Sequence, residues 1–284
     1  MIWVVDLDGV MWLGDEPIEG SAEAVSRLRA AGAKVVFFTN NSSLTIASYV
    51  SKLAGMGVHV RASDVLSSAQ AAAMLLEPGT TALACAGPGV AEALGERGVT
   101  VVGNGTCDAV VVGWHADFDF DQLASATTAV LDGAMLVGTN DDATYPVRGR
   151  LLPGAGAILA SVAYATRVRP VVAGKPNDAS VQLLLERIGR PVVVVGDRLD
   201  TDGEFAARLN SRFALVLSGV AGRSGQFASR NLGQEVGDSR LANDMLRDTG
   251  DSSGRAANEV DATAEDLRGL VDCVLSGSLL ADSL

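Results

Sequence analysis

The stretch Ile2 to Asp8 ends in two acids and constrains the whole chain more than any other segment. The run Ile-Trp-Val-Val-Asp-Leu-Asp is apolar and rich in β-branched residues, which predicts a buried strand. Because alternate side chains of a strand share a face, Asp6 and Asp8 should leave the sheet in the same direction. Gly9 then permits a sharp turn. Ligands of α/β sheets bind at such strand ends.

Two carboxylates this close together are unfavourable unless a cation or a proton intervenes. The pair of Asp6 and Asp8 therefore predicts either a metal site or one acid that is held protonated. A strand that ends in two solvated acids is the alternative interpretation.

Composition limits the classes of function. The chain has 284 residues, of which 48% are hydrophobic and 20% charged, as expected for a globular protein with one large domain or two. The net charge of -12 argues against nucleic acid and against an anionic membrane as partner. There is neither a signal-peptide pattern nor an apolar run of the roughly 20 residues that a transmembrane helix needs.

Cysteine and histidine usage narrows the chemistry further. The three cysteines are widely spaced and odd in number, which predicts reduced thiols in a cytoplasmic protein. The two histidines, His59 and His115, leave little room for a histidine-based zinc site or a Ser-His-Asp triad.

Strands and helices alternate along the chain, which predicts an α/β fold. Pro78-Gly79 is the first candidate domain boundary, and a second α/β unit of roughly 90 residues follows it. Residues Gly138 to Leu152 are predicted to form a loop-rich link, and residues 222–256 a long variable loop. Ser21 is a candidate N-cap for one helix, and the polar cluster Asn40 to Ser43 for the helix Leu44 to Ala54.

Several polar side chains follow predicted strands or begin helices. They are Asp6, Asp8, Thr39, Asn40, Lys175, Asp197 and Asp202. Since parallel strands joined by helical crossovers bring their carboxyl ends to one edge, we expect these groups to converge in one crevice. Carboxylates favour Mg²⁺, and a lysine with hydroxyl and amide donors suits phosphate oxygens.

Four stretches resemble the four ordered motifs of the haloacid dehalogenase superfamily. They are Asp6-Leu-Asp8-Gly-Val, Thr39-Asn-Asn-Ser-Ser43, Gly174-Lys175-Pro176 and Gly196-Asp197-Arg-Leu-Asp-Thr-Asp202. The resemblance is closest to class IIA, which includes NagD-like phosphatases, nitrophenylphosphatases and pyridoxal phosphatases. It implies a doubly wound, Rossmann-like parallel-sheet core from residues 1–77 and 171–284, with an inserted α/β cap domain at residues 78–170.

For the acids, the resemblance implies a division of roles. Asp6 would be the nucleophile that forms an aspartyl phosphate, and Asp8 the general acid and then base. Mg²⁺ would be held by the Asp6 carboxylate, the Asp8 main-chain carbonyl and Asp197. Asp202 would orient a metal-bound water from outside the ligand set. Gly203 departs from the aliphatic residue usual in the family and should loosen the start of the next helix.

For the remaining groups, the resemblance implies contacts with the phosphate. Thr39 and Asn40 would bind its oxygens, and Lys175 would neutralise its charge. An anionic nucleophile can approach a phosphate dianion only where such positive charge is available.

These motifs predict a Mg²⁺-dependent phosphatase that hydrolyses a small phosphomonoester. The alternatives are a phosphotransferase or mutase on the same site, a non-catalytic phospho-acceptor of the receiver type, and a phosphate-ligand binding module.

The cap should favour a small phosphorylated metabolite as substrate, because closure excludes water and large molecules. Candidate contacts to the leaving group are Asn140, Asp142, Tyr145 and Arg148, together with Trp114-His115. The resemblance is also compatible with a homodimer.

Overall fold

A computed structural model describes residues 1–222 and 260–276 of the chain. Within these residues the strands are β1 (Ile2–Val5), β2 (Trp12–Leu13), β3 (Glu16–Pro17), β4 (Lys34–Thr39), β5 (Val65–Ser67), β6 (Thr81–Cys85), β7 (Thr100–Val102), β8 (Ala109–Val112), β9 (Met135–Gly138), β10 (Thr144–Val147), β11 (Arg150–Pro153), β12 (Val171–Val172), β13 (Val193–Gly196), β14 (Arg212–Val216) and β15 (Ala262–Ala264). The α-helices are α1 (Ser21–Ala30), α2 (Ile46–Gly55), α3 (Ser68–Met74), α4 (Pro88–Arg97), α5 (Phe120–Leu131), α6 (Ala155–Thr166), α7 (Asp178–Arg187), α8 (Glu204–Arg208) and α9 (Leu267–Leu275). None of these helices combines the length and the apolar character that crossing a membrane requires. The variable loop predicted at residues 222–256 lies, apart from Gly222, outside the described residues.

The larger sheet has six parallel strands in the order β15–β14–β13–β1–β4–β5. Its central strand β1 is buried on both faces, because Val4 packs into one hydrophobic cluster while Trp3 and Val5 pack into another. Helices α1, α2 and α9 cover the face of Trp3 and Val5, and α3, α7 and α8 cover the opposite face. The predicted doubly wound parallel sheet is therefore confirmed.

The smaller sheet has five parallel strands in the order β12–β9–β8–β6–β7. Helices α5 and α6 cover one face, and α4 packs on the other. Residues of α3 and α4 share one hydrophobic cluster, so the cores of the two sheets are continuous. The second α/β unit is thus confirmed.

The position of the domain boundaries stays a prediction. Strand β12 pairs with β9 of the smaller sheet, although it follows the boundary predicted after residue 170. We therefore propose that the cap segment extends through β12.

The prediction of a loop-rich link at Gly138 to Leu152 is wrong, because β10 and β11 form an antiparallel hairpin there. Val147 pairs with Arg150, which leaves two residues for the turn. One of them, Gly149, has a φ of 79°, a conformation that costs glycine little and permits a tight reversal.

Two predicted N-caps are also wrong. Ser21 is the first helical residue of α1, and Gly20 precedes it as the cap with a φ of 80°. Thr45 caps α2, and its side chain accepts a hydrogen bond from the Ser48 amide. The polar cluster Asn40 to Ser43 therefore does not cap the helix, and part of it lines the cavity described next.

Candidate active site at the carboxyl edge of the larger sheet

Asp6 and Asp8 follow β1 and line one cavity. The strand ends at Val5 rather than at Asp8, although the Asp6 amide still donates to Val195 O over 2.9 Å. Leu7, between the two acids, is fully buried in the hydrophobic core. The alternation predicted from the sequence is therefore confirmed, since both carboxylates face the cavity and Leu7 faces away.

Lys175 is the buried cation of this cavity, and its side chain is only 2% exposed. Its Nζ lies 2.8 Å from Asp6 Oδ1 and 2.6 Å from Asp202 Oδ1, and it also donates to Phe38 O over 2.9 Å. Burial alone would lower the pKa of Lys175, but the charges of Asp202 and Asp6 outweigh it and raise the pKa. The ammonium group therefore stays charged.

Three carboxylates gather around this ammonium group. Oxygens of Asp6, Asp197 and Asp202 lie within 4.8 Å of one another, and all three residues are buried. Burial, followed by the charge of Asp202, raises the pKa of Asp197 to about 7. Burial also raises the pKa of Asp6, against the opposing effect of Lys175.

This cluster fits a divalent cation. Lys175 supplies one positive charge against the three carboxylates, which leaves negative charge uncompensated in a buried site. Carboxylate oxygens are the hard ligands that Mg²⁺ prefers. Asp202, predicted to lie outside the ligand set, belongs to the same cluster of oxygens as Asp6 and Asp197.

A single π-helical turn, Leu199–Gly203, brings Asp202 into the cluster. The amides of Asp202 and Gly203 both donate to Arg198 O over 3.1 Å. Gly196 is needed beside this turn, because a Cβ there would lie 2.2 Å from Asp202 Cγ. The turn thus fits Asp202 tightly against the end of β13.

Two further glycines close around Asp197. A Cβ on Gly219 would lie 1.9 Å from Asp197 Oδ2, and one on Gly9 would lie 2.3 Å from the same atom. The Val220 amide donates to this oxygen over 2.6 Å. Side chains at either glycine would displace the carboxylate, so the loop after β14 fixes the position of Asp197.

Asp8 has a different environment. Its Oδ1 accepts hydrogen bonds from Trp12 Nε1 at 2.9 Å and from Tyr145 Oη at 3.1 Å, and its Oδ2 accepts one from Thr39 Oγ1 at 3.2 Å. Burial raises the pKa of Asp8, while the hydrogen bond from Trp12 and the charge of Lys52 oppose it. The hydroxyl of Thr39, predicted to bind phosphate, here lies against Asp8 at the cavity wall.

The side chain of Asn40 lines the cavity but uses its hydrogen-bonding groups within the protein. Its Nδ2 donates to Asp142 Oδ2 and to Lys175 O, each over 3.1 Å, and its Oδ1 accepts from the Lys175 amide at 2.8 Å. Its main-chain oxygen accepts from Asn140 Nδ2 at 2.6 Å. Asn40 therefore joins the segments that connect the two sheets, and its predicted contact with phosphate stays untested.

The predicted specificity residues are only partly brought to the cavity. Asn140, Asp142 and Tyr145 line it. Arg148 does not: its side chain is 76% exposed, and its guanidinium pairs with Glu16. The predicted contact of Arg148 with the leaving group is thus not supported by its position.

Trp114 and His115, which were predicted together as contacts to the leaving group, have different environments. Trp114 lines the cavity, and its ring lies 4.9 Å from that of Tyr145. His115 lies apart from the cavity lining and is buried against Gly113 O and Gln122 Oε1, each 3.0 Å away.

Three residues that shape the site were not predicted from the sequence. Trp12 donates to Asp8, Gly219 closes around Asp197, and Arg198 lines the cavity. Of these three, only Arg198 could have been predicted to lie at the site, because it falls within the motif from Asp197 to Asp202.

Known proteins resemble this chain in sequence. Residues 3–100 match the family of haloacid dehalogenase-like hydrolases, and residues 172–239 match the related HAD-hydrolase-like family. An acid sugar phosphatase of Staphylococcus saprophyticus is 35% identical over 206 residues, which are 70% of this chain and 80% of that protein.

Solved structures resemble it as well. A glycerol phosphate phosphatase of Mycobacterium tuberculosis, crystallised with magnesium, superposes with a TM-score of 0.76 at 30% identity, over 95% of this chain and 75% of the other. A p-nitrophenyl phosphatase of Archaeoglobus fulgidus has a TM-score of 0.76 at 25% identity, over 96% and 98% of the two chains. Together with the sequence matches, these likenesses establish that the chain belongs to the haloacid dehalogenase-like hydrolases.

Proposed function

We propose that this chain is a Mg²⁺-dependent phosphatase that hydrolyses a small phosphomonoester through an aspartyl phosphate on Asp6. The observation that carries the proposal is the contrast between the two acids of one cavity. Asp6 contacts the ammonium group of Lys175, whereas Asp8 accepts hydrogen bonds from the neutral donors of Trp12, Tyr145 and Thr39. Two carboxyl groups in such different environments suit two different roles.

In the first step, a carboxylate oxygen of Asp6 attacks phosphorus, and the bond from phosphorus to the leaving oxygen breaks. Asp8 gives its proton to that oxygen, so the product leaves as an alcohol. Lys175 holds the Asp6 carboxylate and places positive charge beside the phosphoryl group.

In the second step, Asp8 takes a proton from water while the water oxygen attacks phosphorus. The bond between phosphorus and Asp6 breaks, which releases inorganic phosphate and restores both acids. Splitting the reaction in this way replaces one difficult displacement by two easier ones.

The carboxylates of Asp6 and Asp197 and the main-chain carbonyl of Asp8 would hold Mg²⁺, with Asp202 beside them. The ion supplies positive charge against the phosphate dianion. The magnesium in the structure of the glycerol phosphate phosphatase supports the choice of ion.

The cavity supports a small substrate. Its volume is about 50 Å³, and residues from segments of both sheets line it. The relatives are named for sugar phosphate, glycerol phosphate and nitrophenyl phosphate, which are all small phosphomonoesters. A cytoplasmic location and a homodimer stay predictions.

The test is phosphate release by the purified chain from p-nitrophenyl phosphate, glycerol phosphate and sugar phosphates, with Mg²⁺ or with EDTA. We expect turnover that depends on Mg²⁺. An absence of turnover with every small phosphomonoester would refute the proposal, and transfer to an added alcohol in preference to water would favour a phosphotransferase.

A further inference from the structure

Lys52 is a cation that lies beside the active site without lining its cavity. It belongs to α2, and its side chain is 22% exposed. Its Nζ donates to Gly14 O over 2.7 Å and lies 4.4 Å from the centre of the Trp12 ring. The carboxylate of Asp15, 3.4 Å away, is fully exposed, so water screens this ion pair and it contributes little. The contacts that fix the ammonium group are therefore those with the indole ring and the main-chain carbonyl.

Trp12 connects Lys52 to Asp8, the proposed acid. Its side chain is buried, and its Nε1 donates to Asp8 Oδ1 over 2.9 Å. Its main chain is held as well, since the Trp12 carbonyl accepts from the Gly9 amide at 2.7 Å. Gly14 lies in the turn of the hairpin of β2 and β3, so Lys52 contacts both the indole ring and the turn of this hairpin. The position of the indole N–H group thus depends on a side chain of α2.

The two carboxyl oxygens of Asp8 are not equivalent. Oδ1 accepts from both Trp12 and Tyr145, whereas Oδ2 accepts from Thr39 alone among the described residues. Because a carboxylate oxygen has two lone pairs, the two donors occupy those of Oδ1, and one lone pair stays available on Oδ2. Two donors on one oxygen also fix the rotation of the carboxyl group. Oδ2 is therefore the oxygen that can exchange a proton with the leaving group.

We propose that Lys52 is a positioning residue for proton transfer: it holds the indole ring of Trp12, whose N–H group fixes the carboxyl group of Asp8 with Oδ2 available to the leaving group. The role rests on the proposed phosphatase function, and it involves two residues that do not reach the substrate. A cation against an aromatic ring stabilises their contact most where water is partly excluded, as it is here. The alternative is that the charge of Lys52 acts on Asp8 directly, without the indole ring.

Trp12→Phe tests the donor, because it keeps an aromatic ring at this place and removes the N–H group. The readouts are kcat and KM for glycerol phosphate, whose leaving group needs a proton, and for p-nitrophenyl phosphate, whose leaving group needs one much less. We expect kcat to fall roughly tenfold for glycerol phosphate and less than about threefold for p-nitrophenyl phosphate, with KM within about twofold of the wild type. Trp3→Phe is the matched control, because Trp3 is buried in the same hydrophobic cluster and does not line the cavity, so the ratio of the two kcat values should equal that of the wild type.

Lys52→Met tests the cation, because it keeps an unbranched side chain and removes the ammonium group. We expect kcat for glycerol phosphate to fall roughly fivefold. Lys52→Arg should restore kcat to within about twofold of the wild type, since a guanidinium group also packs on an indole ring. In the Trp12→Phe background, Lys52→Met should cause less than about a twofold further loss, because the donor through which Lys52 acts is already absent.

The outcomes separate the two proposals. Equal losses of kcat with both substrates in Trp12→Phe, or wild-type kcat values in Trp12→Phe or in Lys52→Met, would overturn the positioning role. A loss of about fivefold or more from Lys52→Met in the Trp12→Phe background would show that its charge acts on Asp8 directly, which would also overturn that role. In each of these cases the phosphatase function stands. A wild type that hydrolyses neither glycerol phosphate nor p-nitrophenyl phosphate with Mg²⁺ would overturn the phosphatase function, and the positioning role with it.

Discussion

The hydroxyl of Tyr145 donates a hydrogen bond of 3.1 Å to Asp8 Oδ1, although 137 positions separate the two residues in the chain. Tyr145 lies in the hairpin of β10 and β11, and Asp8 lies just after the central strand of the larger sheet. The hairpin therefore contributes directly to the placement of the acid that we assign to proton transfer.

Tyr145→Phe should impair turnover most with poor leaving groups, because these depend on protonation by Asp8. We expect kcat to fall roughly tenfold with glycerol phosphate and less with p-nitrophenyl phosphate, since Trp12 still holds the same oxygen. Asp8→Asn should show the same pattern more strongly. Equal losses with both substrates would contradict a role in leaving-group protonation.

Lys175→Met should destabilise the metal-free protein at neutral pH. The substitution leaves the buried carboxylates of Asp6 and Asp202 without their cation, for which we expect a loss of about 3–5 kcal/mol in the free energy of unfolding. Urea unfolding in EDTA at pH 7.5 measures this loss. Lys34→Met is the control, because Lys34 is exposed. A loss below about 1 kcal/mol would show that the ammonium group does not compensate these acids.

Gly219→Ala should weaken metal binding, because its Cβ would lie 1.9 Å from Asp197 Oδ2. We expect the Mg²⁺ concentration for half-maximal activity to rise on the order of tenfold. Gly103→Ala is the matched control, since no atom lies within 4 Å of a Cβ there. If both variants require the same Mg²⁺ concentration, the loop after β14 does not position Asp197.

The effect of Mg²⁺ on stability should depend on pH. Burial and the charge of Asp202 raise the pKa of Asp197 to about 7 in the folded protein, against about 3.9 in an unfolded chain. The stability that Asp197 contributes is fully present at pH values below its pKa in the unfolded chain, and it is lost as pH rises through about 7. Mg²⁺ should offset that loss, so it should raise Tm more at pH 8 than at pH 5.5, where a proton competes for the carboxylate.

Asp197→Asn is the control for this measurement. In this variant, the rise in Tm caused by Mg²⁺ should differ less between pH 8 and pH 5.5. An equal rise in Tm at both pH values in the wild type would be incompatible with Asp197 as a metal ligand.

The sequence predicted the elements whose signals are local. The alternation of Val4, Asp6 and Asp8 against Val5 and Leu7 follows from strand geometry alone, and parallel pairing then places the strand ends at one edge. The four motif segments could therefore be assigned to one crevice before their distances were known.

The contacts that the sequence did not predict depend on packing between distant segments. Tyr145 has no local signal for its hydrogen bond to Asp8, because the bond exists only once the hairpin of β10 and β11 lies against the larger sheet. Arg148 has the chemistry to bind an anion, but it lies in the turn of the hairpin, where its guanidinium pairs with Glu16. Asn40 likewise has the chemistry of a phosphate ligand, but its side-chain groups bond to the connecting segments.

The central claim is that Asp6 is the nucleophile of a Mg²⁺-dependent phosphatase. It is tested most directly by steady-state phosphate release from p-nitrophenyl phosphate by the wild type and by Asp6→Asn, with circular dichroism to verify that both are folded. We expect Mg²⁺-dependent turnover by the wild type and a loss of at least about a thousandfold in the variant, since an amide cannot take the phosphoryl group. Activity of Asp6→Asn within about tenfold of the wild type, with the same dependence on Mg²⁺, would contradict the assignment.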